Sequence, residues 1–108
     1  MSLSVYVECL QCQDLLYEGN VTHNLNDMAM EAGIYYFLWR PDEIQINRAN
    51  QLIRPLTKGV QLLKKDPERF KKLNPKNGWG NYEGLVSLVC EYLAACKKWP
   101  KAKISVSR

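Results

Sequence analysis

The chain has 108 residues, 46% of them apolar and 24% charged, with a formal net charge of +4. That is the size and make-up of one globular domain, and it excludes collagen, coiled coil and full disorder. No apolar run approaches the ~20 residues that cross a bilayer, and residues 1–8 lack the basic start and apolar run of an export signal, so a cytoplasmic protein with no membrane contact is expected.

The first elements read as a hairpin. Residues 4–9 alternate, with Val5, Val7 and Cys9 on one face, the period of a half-buried strand. After a turn over residues 10–14, residues 15–22 read as a second strand with Leu15, Tyr17 and Val21 facing inward, antiparallel to the first. Thr22 or Asn24 can cap a short helix over 25–32, with Leu25, Met28 and Ala29 on its inner face and Gly33 at its end. Residues 34–39, Ile-Tyr-Tyr-Phe-Leu-Trp, are apolar throughout; their length does not separate strand from helix, and an irregular or helical core segment is preferred.

The second half reads as helical until its end. Ile46, Ala49, Ile53, Leu56, Val60 and Leu63 recur at helical spacing, so a helix over 45–65 is expected, bent or broken at Arg54-Pro55 because proline cannot donate to the preceding turn. Asp66-Pro67-Glu68 has the order of an N-cap, a first-position proline and an acidic first turn for a helix over 67–73. Residues 74–80 form a loop, Asn81 caps a helix over 82–97, and Tyr82, Leu85, Val86, Val89, Leu93 and Cys96 form its apolar face. Residues 102–106 alternate again and read as a closing strand paired with the first. The expected fold is α+β: a small three-stranded antiparallel sheet, two N-terminal strands plus the C-terminal one, covered on one face by three to four helices in a single domain over residues 1–108.

Four features could carry chemistry. Cys9-x2-Cys12 has the spacing of half a zinc site, and His23, Cys90 and Cys96 are the remaining soft ligands. Cys90 and Cys96 lie about 240° apart around one helix and cannot easily share an ion. Buried or turn thiols are the preferred reading, with zinc as the alternative. Thr22-His23-Asn24, at a strand-to-helix junction, could touch a ligand or simply cap. Asn77-Gly78-Trp79-Gly80-Asn81-Tyr82 leads into a helix N-terminus, whose N–H groups and dipole suit an anion, while Trp79 and Tyr82 could stack on a base or sugar. It is no P-loop, since the G-K-[ST] ending is missing. The alternative is a tight turn with Trp79 as a core plug.

The fourth is charge. Residues 1–43 carry seven acids and one base; residues 44–108 carry fourteen bases and four acids. Lys64, Lys65, Arg69, Lys71, Lys72 and Lys76 form a basic run over residues 64–76 that could contact phosphates weakly and without sequence preference.

Asn20-Val21-Thr22-His23-Asn24-Leu25, Glu31-Ala32-Gly33-Ile34-Tyr35, Leu38-Trp39-Arg40-Pro41, Asn77-Gly78-Trp79-Gly80-Asn81-Tyr82 and Val106-Ser107-Arg108 occur in this order over most of the chain from residue 20 onward. In these pieces the sequence resembles a family of small phage- and mobile-element-associated proteins with no assigned activity. The resemblance implies a cytosolic accessory protein rather than a housekeeping enzyme.

The sequence therefore points to a small non-enzymatic binding or interaction module for a protein partner or a small anionic, nucleotide-like ligand. Its candidate ligand-binding residues are His23, Asn24, Asn77, Trp79 and Tyr82, brought together in one site. The alternative is a nucleic-acid-binding module using the basic run, with a zinc-stabilised Cys9/Cys12 hairpin. A third reading is a minimal hydrolase or transferase built on His23 and Glu83, but no nucleophile motif accompanies them.

Overall fold

The alternating apolar residues at the start of the chain do build the centre of a sheet. In the computed structural model, which describes residues 2–11, 14–78 and 80–108, strand β1 (Ser2–Glu8) lies between β2 (Leu15–Thr22) and β3 (Lys103–Ser107), antiparallel to both. Leu3, Val5 and Val7 are fully buried, while Ser4, Tyr6 and Glu8 lie half-buried on the opposite face. That opposite face is polar: the Asn20 side-chain amide donates to both Ser2 and Ser4 hydroxyls at 3.0 Å, and Ser105 donates to Glu8.

Leu15, expected to face inward, is 51% exposed. The cause is a shift of register between Val7 and Glu8, which pair with Tyr17 and Leu15 and leave Leu16 as an extra residue. A one-residue slip sends a side chain to the other face of a strand, so alternation counted through a bulge fails on its far side.

Five α-helices follow among the described residues: α1 (Asn26–Glu31), α2 (Tyr35–Trp39), α3 (Asn50–Lys65), α4 (Pro67–Lys71) and α5 (Tyr82–Lys98). Single 3-10 turns over His23–Leu25 and Pro41–Ile44 precede α1 and follow α2. The fold is α+β, with α5 packed on β1 and β2 and α3 packed on α5. Thr22 caps the first turn by accepting the Asn24 N–H, Gly33 ends α1 at φ +77°, and Asn81 caps α5 by accepting the Gly84 N–H at 2.7 Å.

Residues 35–39 are helical, so the apolar segment is a short helix that buries Leu38 and Trp39 while Tyr36 stays exposed, and not a strand. The long helix starts at Asn50 and not at 45, because residues 47–49 instead line the sheet edge: Ile104 N–H donates to Asn47 O and Ala49 N–H to Ala102 O. It then runs unbroken through Pro55. Its buried stripe is Leu52, Leu56, Gly59 and Leu63, while Ile53 and Val60 lie at its margin. The stripe turns towards Gly59 because α3 there approaches Ile34: a Cβ at residue 59 would lie 2.2 Å from Ile34 Cγ2.

Candidate functional site

The two polar motifs meet. Gly80 has φ +94°, a conformation that glycine adopts freely and other residues rarely, and a Cβ on it would lie 2.5 Å from Thr22 Cγ2 and 3.1 Å from Leu25 Cγ. The loop before α5 therefore rests directly on the turn that carries His23 and Asn24. Asn24 and Asn77 are exposed; Trp79, like Cys12, lies outside the described residues.

Tyr82 does not present a stacking surface. It is 8% exposed, its hydroxyl donates to Leu63 O at 2.6 Å, and its backbone N–H donates to Asn74 Oδ1 at 2.8 Å. It anchors the start of α5 to the end of α3. Lys71 Nζ lies 5.7 Å from its ring centroid, so a cation already sits over that ring. With Gly84 N–H given to Asn81, two donors of the first turn of α5 are committed to asparagine side chains, and the Glu83 carboxylate stands beside them. An anion at this helix end would compete with groups the protein supplies itself.

His23 faces α2. Trp39 Nε1–H donates to His23 Nδ1 at 2.9 Å, so the neutral imidazole carries its proton on Nε2. Tyr35 stacks on Trp39 with centroids 5.5 Å apart and planes 12° from parallel. Arg40 Nε–H donates to the Tyr35 hydroxyl at 3.0 Å, and Arg40 pairs with Glu43 at 2.6 Å. From the other end of the chain, Arg108 donates to Trp39 O at 2.8 Å and to Asp42 Oδ1 at 3.1 Å. The Arg108 hydrogen bond holds the Asp42 carboxyl below its ordinary range. Pieces of sequence that read as separate motifs, around His23, Trp39-Arg40-Pro41 and Arg108, thus form one linked network. Composition and spacing gave no sign of it, because the contacts join residues 16 and 69 positions apart.

The cysteines are spread out. Cys9 is half-buried at the end of β1, and its N–H donates to Asp14 O; Cys90 is half-buried and Cys96 buried, both on α5. Burial pushes the Cys96 thiol up to about 12. Among the described residues no three His, Cys, Asp or Glu side chains come together as a metal-binding group.

Part of the basic run is neutralised. Arg69 donates to Glu31 from Nε at 3.0 Å, and Lys71 lies 3.9 Å from Glu68 and 3.8 Å from Glu83. Lys64, Lys65, Lys72 and Lys76 are exposed and have no ion-pair partner among the described residues.

The clefts among the described residues include the following. One of about 520 Å³ lies between residues 41–47 and the β3 edge, with Ile46, Val106 and Arg108 in its walls. A second, of about 510 Å³, lies between α2 and α3. The third, of about 430 Å³, lies beside Trp99 at the end of β1, where Leu10 is 47% exposed. No helix among the described residues is long and apolar enough to cross a membrane. No family model, curated protein or solved structure matches this chain.

Proposed function

We propose that this chain is a small non-enzymatic binding module whose partner is a protein presenting acidic groups. The observation that supports this is how the polar side chains are spent. Around His23 they are bonded to one another, whereas the cations of α3, Arg54 and Lys58 among them, stand exposed without an ion-pair partner among the described residues. A reaction centre needs a nucleophile and a base free to meet a substrate. Here His23 Nδ1 is engaged by Trp39, and Glu83 is paired with Lys71.

A small anionic ligand at the junction of residues 22–24 and 77–81 fits less well, because the donors it would use at α5 serve Asn74 and Asn81. The likeness to phage-associated accessory proteins agrees with a binding role. Nucleic acid remains the second reading, favoured by unpaired Lys64, Lys65, Lys72 and Lys76; lysines without base-reading groups give a weak, salt-sensitive interaction.

Fluorescence anisotropy tests this with two labelled probes, a leucine- and glutamate-bearing helical peptide and a short DNA duplex, at about 50 and 200 mM salt. The expected result is saturable binding of the peptide at both salt levels and loss of the duplex at the higher one. Duplex binding that survives the higher salt replaces this reading with the second, and failure of both probes removes it.

A further inference from the structure

We infer that the cleft between α2 and α3 is the docking site for an acidic amphipathic helix of a partner protein. The inference rests on the binding-module reading and adds the place and the manner of recognition. The floor of the cleft is apolar, made by Ala32, Phe37 and Leu62, with Gly33 at its lip, where a Cβ would meet nothing within 4 Å. Arg54 and Lys58 form one wall. They are one turn apart on α3, about 6 Å along the axis. Both are exposed, neither has an ion-pair partner among the described residues, and no acidic residue lines the cleft. The nearest carboxylate in sequence, Glu31, is committed to Arg69.

Two cations at i and i+4 above an apolar trough are the complement of a helix with carboxylates at i and i+4 and leucines on the adjoining face. Charge of one sign beside a low-dielectric surface also steers an oppositely charged partner. Pro55 lies in the same wall and adds apolar surface beside the two cations. A simple fatty acid offers one carboxylate to two cations, which favours the peptide.

The test uses the full chain and a labelled helical peptide with two glutamates one turn apart and a leucine face. The expected result is loss of roughly tenfold or more in affinity for the Arg54→Glu/Lys58→Glu double variant, and a similar loss when the peptide glutamates become glutamine. Lys97→Glu/Lys98→Glu, which changes net charge equally, leaves affinity within roughly twofold, since neither lysine lines the cleft. Amide shifts on titration concentrate at Gly33, Phe37 and Gly59. Because charge reversal can strain a helix, Arg54→Gln/Lys58→Gln is measured in parallel and moves affinity in the same direction. Binding untouched by either Arg54/Lys58 variant but lost on Lys64→Glu/Lys65→Glu overturns the cleft while leaving the acidic-partner reading intact. Equal losses from the α3 and α5 pairs reduce the effect to net charge and also overturn the cleft. Cleft shifts with decanoate in the absence of peptide binding overturn the peptide occupant, and the peptide binding nowhere overturns both readings.

Discussion

The network around Trp39 and the cleft along α3 use polar side chains in opposite ways. In the first, an indole, an imidazole, a phenol and two guanidinium groups are bonded to one another or to nearby backbone and carboxylates. In the second, two cations stand beside an apolar trough with no ion-pair partner among the described residues. Residues that attract attention in the sequence, the lone histidine and the Trp-Arg-Pro run, turn out to close the fold. The cations of the cleft, Arg54 and Lys58, are residues that the sequence reading did not single out.

This comparison is sharpest in stability. Trp39 is 3% exposed and holds both Tyr35 and His23, so Trp39→Ala is expected to cost roughly 3–5 kcal/mol in denaturant unfolding. His23→Ala, which leaves the Trp39 N–H without its acceptor, should cost about 1–3 kcal/mol. Arg54→Glu/Lys58→Glu should stay within about 0.5 kcal/mol of the parent, as exposed helix positions do. A large loss from the α3 pair would show that the cleft is structural after all.

Two glycines separate the regions in the same way. Both have positive φ, but a Cβ at Gly80 strikes Thr22, while at Gly33 it meets open space. Gly33→Ala should cost only the backbone penalty, about 1 kcal/mol, and Gly80→Ala should cost more, about 2–3 kcal/mol. Equal losses, read from unfolding midpoints, would mean that residues 77–81 do not rest tightly on the His23 turn.

The Tyr92 hydroxyl is buried with no hydrogen-bond partner among the described residues, and the Tyr92 ring stacks on Tyr17. Tyr92→Phe is expected to be neutral or stabilising by up to about 1 kcal/mol, measured by thermal unfolding.

The smallest effect concerns pH. Arg108 lowers the Asp42 carboxyl below its ordinary value of 3.8. A carboxyl lowered in the folded state contributes stability above its unfolded value and loses it as pH falls through the folded one. Arg108→Ala should therefore raise the Asp42 titration midpoint, followed by NMR of its side chain, and flatten the stability profile at the acid end of that range. An unmoved midpoint would break the link between residues 42 and 108.

Local signals carried much of the fold. Alternation in β1, the Thr22 and Asn81 caps and the glycine after α1 each depend on a few neighbouring residues, and each was legible. Leu15 was misread because a bulge two residues from the turn changes its face. Tyr82 was assigned both to the core face of α5 and to a ligand; burial against Leu63 decides for the core. The site was less legible for a general reason. The Trp39–His23 bond depends on where two short turns place their side chains, and the α2–α3 cleft depends on Gly59 bringing a helix against Ile34. What sequence did offer was Arg54 and Lys58 one turn apart beside a proline, a pattern too common to stand alone.

The strand order has a kinetic consequence. β1 and β2 are joined by a short turn, and that hairpin can form early, on the microsecond scale. The other neighbour of β1 is β3, with Val5 paired to Val106, so that ladder closes a loop of almost the whole chain. Loop-closure entropy rises with length, and contacts this distant slow folding. Until β3 arrives, the central strand, with Leu3, Val5 and Val7, has one open edge, the kind of surface on which strands of different molecules pair. Closing the β1–β3 ladder, in which Ser4 pairs with Ser107, removes that edge, and the Arg108 hydrogen bond to Trp39 O ties down the residue that follows β3.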